Sequence, residues 1–165
     1  MFKQVKGHTL PLTNCCFNKY GSQFLTGSYD RTCKLWDTQT GNLIHSFDGH
    51  KNTVYAMSFN LPYGNRIATG SFDKTAKLWD VDTGKLLNTF VGHENEVVAL
   101  EFDPNSYFVA TASMDNTARL WDIETGKVHS IFRGHTAELI SLHFNAEGDQ
   151  ILTASFDNTA IVILI

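Results

Sequence analysis

The sequence predicts an all-β chain built from four copies of one supersecondary unit, and three observations carry that prediction. Gly-His recurs at Gly7-His8, Gly49-His50, Gly92-His93 and Gly134-His135, at intervals of 42, 43 and 42 residues. Trp-Asp stands between successive copies, at Trp36-Asp37, Trp79-Asp80 and Trp121-Asp122. Each interval holds four short apolar or β-branched stretches separated by turn residues. A period of about 40–45 residues with four strands per repeat is the pattern of a β-propeller blade.

The repeat from Gly92 to Arg133 shows how each element is read. Val97–Phe102 alternates Val98, Leu100 and Phe102, and the turn Asp103-Pro104-Asn105-Ser106 ends it. Phe108–Ser113 is apolar and β-branched, and Met114-Asp115-Asn116 turns the chain. Thr117–Trp121 follows, then a turn at Thr125-Gly126 and a last strand near Val128–Phe132. Short strands with regular turn signals predict sequential antiparallel pairing. SYDRTCKLWD (28–37), SFDKTAKLWD (71–80) and SMDNTARLWD (113–122) repeat nearly one phrase. The second repeat has one extra residue in its first turn, within 60–65, which accounts for the interval of 43. The repeats are therefore placed at 7–48, 49–91, 92–133 and 134–165, with 1–5 aligned to the outer strand of a preceding blade.

Composition narrows the function. The chain has 165 residues, 18% charged and 12% aromatic, which fits a globular protein. A net charge of −4 gives no reason to expect nucleic acid or an acidic membrane as partner. No apolar run is long enough to span a bilayer. MFKQVKGHTLPL lacks a signal-peptide core. Cys15, Cys16 and Cys33 have neither metal nor disulfide spacing. They predict a reducing compartment and three buried small hydrophobes.

The recurring polar residues have a structural explanation. A buried Trp N–H needs an acceptor, and a buried Asp needs several donors. The recurring His, Ser, Asp and Trp resemble the hydrogen-bonded tetrad of WD-repeat proteins, and the resemblance implies the sets His8/Ser28/Asp30/Trp36, His50/Ser71/Asp73/Trp79 and His93/Ser113/Asp115/Trp121. A hydrolase triad reading of Ser, His and Asp fails because the set recurs in every repeat and no G-x-S-x-G elbow occurs. The Gly-His histidines lie on separate blades, and paired Cys or His-x-x-x-His spacing is missing, so no metal site and no cofactor are expected. His45, His129 and His143 are isolated in the sequence and read as exposed or rim residues.

The fourth repeat departs from the pattern. After SFDNTA (155–160) the chain reads Ile161-Val162-Ile163-Leu164 where the others read Lys-Leu-Trp-Asp or its close variant. His135, Ser155 and Asp157 therefore lack a Trp. Either residues 1–5 pair with this repeat and close a four-bladed ring, or the four blades form an open arc cut from a longer propeller. The uncapped ends favour the arc, with an exposed strand edge prone to self-association.

The tetrad residues and the period resemble the WD-repeat β-propeller family along essentially the whole chain. Three stretches carry a narrower resemblance: LPLTNCCFNKYGSQFLTGSYDRTCKLWDTQTG (10–41), VYAMSFNLPYGNRIATGSFDKTAKLWD (54–80) and GHTAELISLHFNAEGDQILTASFDNTA (134–160). They are similar to the WD-repeat outer-arm dynein assembly factors of cilia and flagella, over the early repeats of that family only. The resemblance implies a non-catalytic adaptor linking outer-arm dynein to intraflagellar transport, in the cytoplasm, the cilium or flagellum and its base. Its partners would be outer-arm dynein components and an intraflagellar transport subunit. The alternatives are a scaffold of another complex and a truncated product without function.

In such propellers three sets of loop residues line one rim. Just before the turn Asp stand Tyr29, Phe72, Met114 and Phe156. Five residues after the histidine stand Thr13, Tyr55, Val98 and Ile140, and three after it Pro11, Thr53, Glu96 and Glu138. The partner-binding expectation falls on Thr13, Tyr29, Tyr55, Phe72, Glu96, Val98, Met114, Glu138, Ile140 and Phe156. Aromatic and Met side chains suit binding hot spots, and the glutamates add an acidic edge. The competing reading packs the apolar members between blades.

Overall fold

Runs of five or six residues with alternating side chains fold as strands, because successive side chains of a pleated chain point to opposite faces. The computed structural model describes residues 3–165, and every regular element in it is a strand. Blade 1 holds β1 (Leu12–Phe17), β2 (Gln23–Ser28), β3 (Thr32–Asp37) and β4 (Leu43–Asp48). Blade 2 holds β5 (Val54–Phe59), β6 (Arg66–Ser71), β7 (Thr75–Asp80) and β8 (Leu86–Val91). Blade 3 holds β9 (Val97–Phe102), β10 (Phe108–Ser113), β11 (Ala118–Asp122) and β12 (Val128–Phe132). Blade 4 holds β13 (Leu139–Phe144), β14 (Gln150–Ser155) and β15 (Ala160–Leu164).

Strand order follows the chain in each sheet, and all pairs are antiparallel. The extra residue of the second repeat is absorbed in the β5–β6 turn without shifting register. Phe59 still faces Ile67, as Phe102 faces Val109 in blade 3. The β2–β3 turns place Arg31, Lys74, Asn116 and Asn158 at φ between 65° and 73°. Asn suits that left-handed conformation, whereas Arg31 and Lys74 tolerate it only because neighbouring bonds pin the turn.

Cohesion comes from apolar layers between blades. Leu25, Cys33, Leu35 and Phe47 of blade 1 meet Val54, Met57, Phe59, Ile67, Trp79 and Val81 of blade 2. Ala56, Ala68, Ala76, Leu78 and Phe90 meet Leu100, Phe102, Val109, Trp121 and Ile123. Ala110, Ala112, Ala118 and Leu120 meet Leu139, Leu142, Ile151 and Ile163. One aromatic contact recurs: Phe47 lies 5.4 Å from Trp79, and Phe90 lies 5.4 Å from Trp121, between ring centroids. In blade 4, Ile163 takes the Trp position, opposite Ile151 as Trp121 is opposite Val109.

The arc is open. Blades 1 to 4 pack in succession, and no comparable packing joins β13 to β1 among the described residues. Four strands were expected in every blade, but blade 4 has three, since no described segment pairs with the outer side of β15. Residues 1–5 were aligned with an outer strand. Met1 and Phe2 lie outside the described residues, and Lys3, Gln4 and Val5 are in no sheet. Three buried cysteines were expected; only Cys33 is buried, Cys16 is half-buried and Cys15 is exposed. Cys15 stands where Met57, Leu100 and Leu142 pack on a preceding blade, and no sheet among the described residues lies against it. Burial pushes the Cys16 thiol up to about 12, with Cys15 beside it adding to the shift.

Trp79 joins blade 2 to blade 1 and is 3% exposed. Trp79→Ala should cost about 3–5 kcal/mol in chemical denaturation, a large share of the roughly 5–15 kcal/mol of a typical domain. A change indistinguishable from zero would contradict the inter-blade role assigned to this side chain.

Candidate functional site

Each blade carries a relay of side chains running from its core to its rim. In blade 2, Trp79 Nε1–H donates to Thr69 Oγ1 at 2.8 Å, and Thr69 Oγ1 lies 2.9 Å from His50 Nε2. His50 Nδ1 lies 2.8 Å from Asp73 Oδ2. Blades 1 and 3 repeat this with Trp36–Thr26–His8–Asp30 and Trp121–Thr111–His93–Asp115. A hydroxyl accepts one bond and donates another, so the chain closes with neutral histidine donating from Nδ1.

The hydroxyl in this relay differs from the one expected. Thr26, Thr69 and Thr111 occupy the place assigned to Ser28, Ser71 and Ser113. Sheet register is the cause. Trp79 lies opposite Ile67, so its indole reaches the diagonal neighbour Thr69 on the same face, and Ser71 is one step too far. The serines fasten the loops instead. Ser71 Oγ donates to the Asn52 carbonyl and accepts the Asp73 N–H. The signal was present, since Thr recurs at 26, 69, 111 and 153. Blade 4 keeps His135, Thr153 and Asp157 in contact without a Trp.

The aspartates organise the rim. Asp73 Oδ2 accepts the Lys51 N–H, and Oδ1 accepts the Thr75 N–H and hydroxyl. Burial alone would raise the Asp30 carboxyl, but hydrogen bonds from Thr32, Thr9 and His8 outweigh it and hold it at about 2. Asp73 and Asp115 are also held well below the usual carboxylate range, burial being outweighed by the His, Thr and backbone donors. Asp157 is depressed chiefly by the Thr159 hydroxyl.

In blades 2 and 3 the hydroxyl, imidazole and carboxylate of the relay look like an acyl-transfer triad in composition, but not in access. Thr69 and Thr111 are fully buried, and each hydroxyl already accepts a Trp N–H. A substrate carbonyl has no approach to them.

Above the relays, two loops per blade are knitted together. The N–H groups of Tyr29, Phe72, Met114 and Phe156 donate to the carbonyls of Pro11, Thr53, Glu96 and Glu138. The pre-Asp residues therefore sit beside the third-position residues on every blade. Tyr29 and Phe156 are 48% and 62% exposed, Phe72 and Met114 half-buried. Tyr55 and Ile140 are exposed, and Tyr55 stacks on Phe72 with centroids 5.2 Å apart. Thr13 is half-buried and gives its hydroxyl to the Val54 carbonyl. Val98, expected on the rim, is 8% exposed, so its short side chain offers a partner almost nothing. Glu138 is exposed and Glu96 half-buried.

Charge on this rim is divided rather than uniformly acidic. Exposed Arg31, Lys51 and Lys74 flank the loops of blades 1 and 2, while Glu94, Glu96 and Glu138 flank those of blades 3 and 4. His45, expected to be isolated, instead lies 3.0 Å from the Asp82 carbonyl, spanning blades 1 and 2. His143 is exposed but not isolated, lying 3.5 Å from Glu101 Oε2, and His129 is exposed with its ring tilted against Phe108, centroids 4.9 Å apart.

Repeated four-stranded blades with a Trp–Thr–His–Asp relay and a loop rim above it define a WD-repeat β-propeller scaffold. A family model described as the IFT122 first beta-propeller matches residues 11–163, and the chain belongs to that family. It is 60% identical over 62 residues to the Dynein assembly factor with WD repeat domains 1 of Xenopus laevis and to that of Homo sapiens. That stretch is 38% of this chain and 15% of either relative, so the match spans a small part of their length. Pre-mRNA-processing factor 17 of Homo sapiens is 46% identical over 54 residues, 33% of this chain and 9% of that protein.

Two outcomes check the relay. Thr69→Val should free the Trp79 indole N–H and speed its hydrogen exchange at least about tenfold, because a buried donor loses its acceptor. Ser71→Ala should leave that indole resonance in place. Equal responses from the two variants would return the serine to the relay.

Acid should unfold the protein in a defined window. A depressed aspartate stabilises the fold at every pH above its unfolded value, near 3.8, and stops doing so as pH falls toward about 2. The aspartates' contribution to stability should therefore be level from pH 7 to about 4 and drop steeply below. Asp73→Asn should lower stability at pH 7 and flatten the fall. Denaturant titrations at successive pH values measure both slopes.

Proposed function

We propose that this chain is a non-catalytic protein-interaction scaffold that serves as an adaptor between outer-arm dynein and intraflagellar transport during assembly of cilia or flagella. Its likeness to the Dynein assembly factor with WD repeat domains 1 carries this reading. Membership in the IFT122 first beta-propeller family supports the transport half of it. On this reading the protein works in the cytoplasm, at the ciliary base and in the cilium.

The contact surface is the loop rim. Tyr29, the stacked Tyr55–Phe72 pair, Met114, Ile140 and Phe156 supply the apolar anchors. Arg31, Lys51 and Lys74 on one side and Glu94, Glu96 and Glu138 on the other favour a partner of opposite charge order, acidic over blades 1 and 2 and basic over blades 3 and 4. Such a partner docks in one orientation only.

A second reading, a scaffold for another complex, draws support from the Pre-mRNA-processing factor 17 match. One experiment separates the two. The immobilised protein should retain outer-arm dynein components and intraflagellar transport subunits from ciliated-cell extract. Tyr55→Ala with Phe72→Ala should abolish that capture with little change in melting temperature. Truncating a hot-spot aromatic costs about 2 kcal/mol or more, roughly thirtyfold in affinity. Capture of a different complex by the unmutated protein favours the second reading. Undiminished capture by the folded double variant removes the rim from the proposal.

A further inference from the structure

A cleft opens at the ends of the strands opposite the loop rim, where three consecutive blades meet. Blade 2 gives it Phe59 and Leu61, blade 3 gives Glu101, Phe102 and Pro104, and blade 4 gives Phe144. It encloses about 290 Å³. Small-molecule pockets run from about 300 to 1,000 Å³, so this cleft suits one long side chain better than a whole cofactor. The longer β5–β6 turn of the second repeat supplies part of its wall. The Leu61 carbonyl in that turn accepts the Ser106 hydroxyl at 3.2 Å, which fastens the turn onto blade 3. Leu61 itself is 48% exposed.

Two carboxylates line the cleft, and they differ in how far they are committed. Asp103 is buried and accepts the Asn105 and Phe108 N–H groups of its own turn. Glu101 is half-buried and reaches across to blade 4. Its Oε2 accepts the Phe144 N–H at 2.8 Å, and His143 Nδ1 lies 3.5 Å from the same oxygen. Its Oε1 has no hydrogen-bond partner among the described residues. The blade fold does not require a carboxylate here. The equivalent positions hold Cys16, Ser58 and His143, which lie opposite Leu25, Ala68 and Leu152 as Glu101 lies opposite Ala110. Residues that build the relay and the layers recur from blade to blade, whereas this position changes in every blade. Exposed Glu124, Glu147 and Asp149 stand on the turns of blades 3 and 4 at this end, against the single lysine Lys127.

We propose that this cleft binds an arginine side chain presented by a partner protein. The guanidinium pairs with Glu101, whose carboxylate is held in place by the Phe144 N–H, and the alkyl stem lies along Leu61 and the phenylalanines. The acidic turns around the cleft favour a cation over a neutral side chain. Arginine fits better than lysine, because its planar fork meets a carboxylate with two bonds, stacks on aromatic faces and is less strongly hydrated. Strand β9 runs from Val97, beside the rim, to Phe102 at the cleft, so rim and cleft can be occupied together. The inference stands on the cleft alone and does not depend on the function proposed above.

Titration of the isotope-labelled 165-residue protein with an acetyl-Gly-Arg-Gly amide peptide, followed by amide chemical shifts, tests it. The peptide should bind with a dissociation constant on the order of 1 mM, as suits a single side chain, and should move the Glu101 and Phe144 signals. The lysine peptide should bind at least about threefold more weakly, and the citrulline peptide, which keeps the shape without the charge, at least about tenfold. Glu101→Gln should weaken arginine binding about tenfold with the melting temperature unchanged, since an amide oxygen can still accept the Phe144 N–H. A glutamate that only fastened blade 4 would be replaceable by glutamine without effect on binding. Leu61→Ser, which removes apolar wall, should weaken binding about threefold. Tyr55→Ala with Phe72→Ala, on the rim, should bind the peptide as the unmutated protein does, so failure of the rim reading and failure of this one are separable. Equal binding of the arginine and citrulline peptides, undiminished binding by Glu101→Gln, shifts confined to the rim loops, or no shifts at about 20 mM peptide each overturn the proposal.

Discussion

The structure depends on a single hydrogen-bonded relay, repeated from blade to blade. A tryptophan at the centre of a sheet must satisfy one N–H without reaching water. The Thr hydroxyl accepts that bond and is itself bonded to histidine Nε2, and histidine Nδ1 is bonded to aspartate. The aspartate gathers the N–H groups of two loops. An unbroken series of bonds thereby links one buried donor at the core to a turn at the rim. Removing the Thr acceptor leaves the indole N–H unpaired in a low-dielectric interior, where an unpaired polar group is costly.

The same tryptophan couples the blades. Its indole lies against a phenylalanine of the preceding sheet, Phe47 for Trp79 and Phe90 for Trp121. The relay thus orients a side chain whose flat face is part of the apolar layer. Blade 4 shows what remains without it. His135, Thr153 and Asp157 still meet, and Ile163 still packs on Leu120 and its neighbours, but no indole N–H enters the network. The rim turn at Phe156 keeps its form, because the aspartate and not the tryptophan holds it.

Much of the fold was legible because the repeat states each element more than once. Strand boundaries, the extra turn residue of the second repeat and the roles of His50, Asp73 and Trp79 follow from recurrence at a constant period. The hydroxyl partner was misassigned, since Thr69 and Ser71 recur equally and share one face of β6. Only the register opposite Trp79 distinguishes them. Val98 and Tyr55 were equivalent by position, yet one is 8% and the other 37% exposed, a difference that the position in the repeat does not state. Cys15 and the divided rim charge went unread for a related reason. Each depends on which neighbours surround a residue in space.

The sequence by itself determined an all-β repeat architecture, the histidine, aspartate and tryptophan of each relay, and the loops that form a rim. These follow from local patterns: alternation, turn chemistry and a period of about one blade. Tertiary structure alone decided which hydroxyl completes the relay and which rim residues reach solvent. Those outcomes rest on register and on contacts between residues more than 40 positions apart, where side-chain length and the presence of a neighbouring sheet, rather than residue type, settle what is buried.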